Sequence, residues 1–154
     1  MEKLENVYGA AKLVAQLFIH GDSNEDSLVA VVVPDIETLP SFLKITHDDA
    51  IDTENMSLFQ LCDRHAQYVK DSILQEFRNL ASQAGLHGFE IIKNVYIETE
   101  PWTNTGDSAI LTPTMKLKRN QAKARYASQI KLMYDELRGA KENAALEVPR
   151  RSKL

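Results

Sequence analysis

The run Leu28–Val33, LVAVVV, restricts the fold more than any other stretch of the chain. Six consecutive apolar residues, four of them valine, leave no polar position to face water. The run therefore reads as a strand buried on both faces, with helices covering at least one of them. Pro34 ends it, because proline has no N–H to give to a ladder. Upstream, Val14–His20 is a second β-branched, apolar run. The two are separated by GDSNEDS, a cluster of turn formers, and together predict a hairpin. Phe89–Glu98 alternates Phe89, Ile91, Val95 and Ile97 with polar neighbours, broken at Lys93, and reads as a third strand paired with that hairpin.

Helical spacing accounts for most of the rest. Leu4, Val7 and Tyr8 predict a short first helix closed by Gly9, and Asp35 is placed to cap another through Phe42, interrupted at Pro40. Cys62, Ala66, Val69, Ile73, Phe77, Leu80 and Ala84 form a long stripe that Gly85 stops. Asn120 is a good N-cap for a helix whose face is Ala122, Tyr126, Ile130, Met133 and Leu137, ending near Gly139. The expected class is α+β: a small three-stranded sheet packed with amphipathic helices around Cys62–Ala84 and Asn120–Arg138. Residues 1–138 form one domain, and 139–154, with little apolar periodicity and a proline, are expected to be a flexible tail.

Composition narrows the function classes. With 44% hydrophobic and 26% charged residues the chain is of ordinary globular type, and no apolar run approaches the ~18 residues that cross a membrane. A lone Cys62 rules out an internal disulfide, and its place on the apolar stripe makes it core filler rather than a nucleophile. The net charge of −4 conceals an asymmetry, since 11 of the 18 Lys and Arg lie from Lys116 onward. A basic end suits phosphates or an acidic partner surface. Nucleic acid is disfavoured, because the chain is acidic overall and the basic residues are not interleaved with aromatics. No metal site is assigned: His20 stands without a second ligand at metal spacing. Asp48, Asp49, Asp52 and Glu54 lack the spacing and glycine of a calcium loop. There is no glycine-rich phosphate loop, so the chain holds no nucleotide by itself.

Leu111–Arg119, LTPTMKLKR, is the segment with most chemical content. Pro113 stiffens a turn flanked by Thr112 and Thr114, and the turn presents Lys116, Lys118 and Arg119 within four residues. Such a turn is either a solvated basic loop or a device for bringing an ammonium to a carboxylate or phosphate.

The same segment, preceded by TEPWT and followed by an amphipathic helix, resembles the C-terminal signature of the long-chain fatty acyl-CoA synthetases, members of the adenylate-forming superfamily. EKLENVY, VAQLFIHGDS and LVAVVVPD resemble the start of the same domain, so the likeness runs from Glu2 to about Leu137. It implies a C-terminal lid domain and a two-step ligase making acyl-CoA from fatty acid, ATP and CoA through an acyl-adenylate. It also implies an N-terminal domain, absent from this chain, that holds Mg²⁺. By that resemblance Lys116 is the catalytic lysine, with Arg119 the matching arginine, and Lys118, Arg119 and Thr114 are candidate contacts to substrate or nucleotide phosphate. Asp107–Ile110 departs from the asparagine-glycine-leucine more common in the family before LTPT. The terminal Ser152, Lys153 and Leu154 spell SKL, the address read by the peroxisomal import receptor, so the expected location is the peroxisome. The competing expectation is a free-standing, non-enzymatic peroxisomal module that binds acyl-CoA or a protein.

Overall fold

The computed structural model describes residues 2–152, with side-chain surroundings for residues 3–142. Its centre is strand β2 (Leu28–Pro34), buried at every position. β1 (Val14–Gly21) pairs with it antiparallel on one side, and β3 (Ile92–Ile97) pairs with it parallel on the other. Successive side chains of β2 point to opposite faces, so the valine run feeds two cores. Leu28, Ala30 and Val32 join the first, and Val29, Val31 and Val33 the second. Full burial of each such valine contributes ~1.5–3 kcal/mol. Helices thus cover both faces of the sheet.

The first core is closed by α1 (Glu2–Tyr8), α2 (Thr38–Thr46), α3 (Leu58–Arg64) and α4 (Ala66–Gln83). Three of these, α2 to α4, lie in the crossover that a parallel β2–β3 pair requires. α2 begins at Thr38 and runs through to Thr46. Pro40 does not interrupt it, because the third residue of a helix has no intrahelical acceptor for its N–H. Asp35 does serve its start, its Oδ1 accepting from the amides of Glu37 and Thr38 at 2.9 Å each. The stripe expected as one helix from Cys62 to Ala84 is two helices that share His65 as a hinge residue (φ −117°, ψ 32°). No glycine or proline marks the break. Ala66, expected on the stripe, is exposed just after the break, while Cys62 and Val69 on either side of it are buried. α4 ends in a left-handed Gly85 (φ 72°), with Leu86 N bonded to Ala81 O at 2.9 Å.

β3 is shorter than expected. Gly88–Glu90 is a 3₁₀ turn, Gly88 has φ 66°, and Phe89 is 74% exposed instead of core. The strand carries a buried Asn94, whose Nδ2 donates to Met133 O and Glu136 Oε2 and whose Oδ1 accepts from Val95 N. The asparagine therefore satisfies one amide on the open edge of the sheet and fixes the strand to the opposite helix layer.

That layer is α5 (Arg119–Arg125) and α6 (Ala127–Ser152), which bury Ala122, Tyr126, Ile130, Met133 and Tyr134 against the second core. Asn120 is not the N-cap. Lys118 holds that position, in extended geometry (φ −84°, ψ 90°) and without a side-chain cap, because it also ends the hairpin described below. A turn at Tyr126 (φ −105°, ψ 18°) separates the two helices. α6 continues beyond Gly139, where the helix was expected to end, to Ser152. A single glycine costs only about 1 kcal/mol against alanine, and AKENAALE, which follows, is rich in helix formers.

Candidate functional site

The lysine turn is a small hairpin built on the second core. Leu111 and Leu117 face each other in an antiparallel bridge, and Thr112 N donates to Lys116 O at 2.7 Å. Pro113 occupies the first corner, and Met115 N donates back to Thr112 O at 2.8 Å. Met115 itself is left-handed (φ 65°), the conformation that returns the chain to its ladder after such a turn. Thr112 Oγ1 accepts from Lys116 N at 3.0 Å and lies 3.1 Å from Thr114 Oγ1. The backbone of Lys116 is thereby bonded at both its N–H and its C=O.

Its side chain is not. Lys116 is exposed, and no ion pair among the described residues includes it. A fixed backbone presents the unpaired ammonium from a set point, leaving only the side chain's own rotamers, worth about 2 kcal/mol, to be ordered when it engages an anion. The neighbouring cations differ. Lys118 is half-buried, its Nζ 3.5 Å from Ala109 O. Arg119 is engaged within the domain: Nη1 pairs with Glu5, Nη2 donates to Ile19 O at 2.7 Å, and the guanidinium lies 5.5 Å from the Phe18 ring centre. Thr114 is exposed at the tip. The four candidate residues share one turn, and Lys116 is the one whose charged group is free.

Beneath the hairpin lies a polar relay inside an apolar shell. Trp102, Ile110 and Leu111 are buried under it. Trp102 Nε1 donates to Tyr126 Oη at 2.7 Å, and Tyr126 Oη donates to Glu98 Oε2 at 2.8 Å. Burial first, with the Glu98 acceptor adding to it and the Trp102 donor opposing, pushes the Tyr126 phenol up to about 12, so it stays a donor at neutral pH. The Trp102 backbone is clasped from the other side by Gln16, which accepts at 2.7 Å and donates at 3.0 Å. Ala109 and Ile110, where the sequence departs from the family pattern, are buried and continue this floor.

The site protrudes. Grooves of about 450 Å³ beside β3 and about 590 Å³ between α2 and α4 are lined by none of Thr114, Lys116, Lys118 or Arg119. Among the described residues no three His, Cys, Asp or Glu side chains converge to hold a metal ion. Burial raises the Cys62 thiol to about 11, which leaves it unreactive at neutral pH. Lys153 and Leu154 lie outside the described residues, and Ser152 is the last residue of α6.

Sequence reasoning did not find Glu5, Gln16, Phe18 or Glu98 as parts of this assembly. Their partners are 28 to 114 positions away, and no local spacing announces such contacts.

No family model matches the chain. Individual proteins do. It is 41% identical over 136 residues to the peroxisomal long chain acyl-CoA synthetase 7 of Arabidopsis thaliana, covering 88% of this chain and 18% of that protein. It is 36% identical over 137 residues to the long-chain-fatty-acid–CoA ligase 5 of Mus musculus, with the same shares of 88% and 18%. The chain thus spans about a fifth of the length of the relatives it matches. Among solved structures, the A-PCP didomain of carboxylic acid reductase from Segniliparus rugosus in complex with AMP superposes with a TM-score of 0.67 at 28% identity, over 90% of this chain and 16% of that one. The adenylation domain of a Mycobacterium chelonae carboxylate reductase gives a TM-score of 0.64, also at 28% identity, over 87% and 17%.

Proposed function

We propose a function from one premise: this chain is a homologue of the C-terminal part of the long-chain fatty acyl-CoA synthetases, with the C-terminal fold of adenylate-forming enzymes. From that premise we propose that it acts as the catalytic lid of a long-chain fatty acid–CoA ligase. A fatty acid carboxylate attacks the α-phosphorus of ATP and pyrophosphate leaves. The thiol of coenzyme A then attacks the acyl carbonyl, and AMP departs. The Lys116 ammonium serves the first step, resting between the carboxylate and the phosphate oxygens and offsetting the charge that grows there in the transition state. In this reading Thr114 and Lys118 add contacts to the nucleotide phosphates, Lys118 by leaving the Ala109 carbonyl.

ATP, CoA and the acyl chain need a surface that this protruding turn does not provide, so the proposed partner is the N-terminal domain of the enzyme. Mg²⁺ is proposed for that domain as well. The location proposed is the peroxisome, through the SKL terminus and its import receptor. Two Arabidopsis relatives, each 41% identical, are peroxisomal by name.

The observation that carries this reading is the free ammonium of Lys116 on a backbone bonded at both ends. It is tested in a chimera in which this chain replaces the C-terminal part of the Arabidopsis synthetase 7. Lys116→Ala is expected to lower acyl-adenylate formation by ~10²–10³-fold, as loss of a transition-state donor does. Thioester formation from supplied acyl-adenylate should persist. Equal loss of both half-reactions would remove Lys116 from the first step.

A further inference from the structure

The three cations of the turn do not share a role, and Arg119 shows it. Its guanidinium meets three groups of the domain itself: the Glu5 carboxylate of α1, the Ile19 carbonyl of β1 and the face of Phe18. An arginine can meet such a set at once because its planar fork donates along its edge while its face stacks; a lysine ammonium on a flexible stem cannot. Glu5 and the Ile19 carbonyl thus already take one donor from each terminal nitrogen of the fork.

Arg119 is also the first residue of α5, directly after the Leu111–Leu117 hairpin, and three positions from Lys116. α1 is in turn seated on the first core, its Tyr8 ring edge-on to Phe77 at 5.2 Å and its Tyr8 hydroxyl bonded to Glu90 O. The guanidinium thus joins the base of the lysine hairpin to the helix on the far side of β1. We infer that Arg119 is a positioning residue, not a phosphate contact: with Glu5, Phe18 and the Ile19 carbonyl it clamps the hairpin to α1, so that Lys116 moves as a rigid extension of the first helix. This rests on the role proposed for Lys116.

The test uses the same chimera with Arg119→Ala, Arg119→Lys, Glu5→Ala and the Glu5→Ala/Arg119→Ala pair. If the clamp aims Lys116, Arg119→Ala and Glu5→Ala each lower kcat for acyl-adenylate formation by ~10–10²-fold, as a misplacement of about 1 Å does. The pair is no worse than either alone. KM for ATP holds within about twofold. Arg119→Lys restores only part of the rate, and thioester formation from supplied acyl-adenylate is unchanged. A rise in KM for ATP on Arg119→Ala with Glu5→Ala silent would overturn the inference in favour of a phosphate contact. So would a normal kcat in both single variants.

Melting of the 154-residue chain itself decides the clamp apart from activity. The two substitutions should lower the melting temperature non-additively, and additive shifts would show that no clamp exists. Should Lys116→Ala leave adenylation intact, the proposed function fails while the coupling measured by melting still decides the clamp.

Discussion

Met115 shows how much a single residue does for the proposed site. It is the one described non-glycine residue with positive φ, and it stands immediately before Lys116. Holding an L-residue there costs roughly 1–2 kcal/mol, a strain the hairpin sustains through the Thr112 and Lys116 bonds on either side. Met115→Val, which puts a β-branched side chain into that conformation, should destabilise the chain by about 1–2 kcal/mol in urea unfolding. Met115→Gly should be close to neutral, losing strain on one side and gaining unfolded-state freedom on the other. Equal effects of the two substitutions would mean that the backbone at this position is not left-handed. The strain was not legible in the sequence, because methionine is no marker of positive φ. The turn was, because Pro113 between two threonines announces it.

At the scale of elements, starts and stops followed the local chemistry wherever a side chain could act on its own backbone. Ser57 and Gln60 close a capping box at the head of α3: Ser57 Oγ accepts from Gln60 N at 3.2 Å, and Gln60 Oε1 accepts from Ser57 N at 2.9 Å. Ser57→Ala should therefore cost about 1 kcal/mol by chemical denaturation, with the α4 amides as slow to exchange as before. A loss of protection spreading into α4 would mean that the two helices open as one unit. Gly85 was recognisable as a stop for the same local reason. The breaks at His65 and Tyr126 were not, since neither residue is a helix breaker. At each the backbone leaves helical geometry for a single residue. The head of α5 was displaced from Asn120 to Lys118 because the hairpin ladder ends there. A hydrogen-bonded neighbour outweighed a preference worth ~1 kcal/mol.

At the scale of the whole molecule, the sheet carries two cores and the site stands on the second. The relay from Glu98 through Tyr126 to Trp102 and the Arg119 clamp bring residues from both ends of the chain under one hairpin. The peroxisomal reading also belongs to this scale. The complete chain fused behind a fluorescent protein should collect in peroxisomes, and deletion of Leu154 should leave it diffuse. Punctate fluorescence surviving that deletion would place the address elsewhere.

The sequence by itself determined the α+β class, the central strand, the polarity of the hairpin and the turn that presents Lys116. All of these follow from periods and turn residues acting within about ten positions. Only the tertiary structure decided which of three adjacent cations keeps its charge free. Lys118 is drawn towards the Ala109 carbonyl, and Arg119 is occupied by Glu5 from 114 residues away, while Lys116 faces outward. The physical reason is range: propensity and periodicity act along the chain, whereas the pairing of charges depends on which distant segments packing brings within a few ångströms.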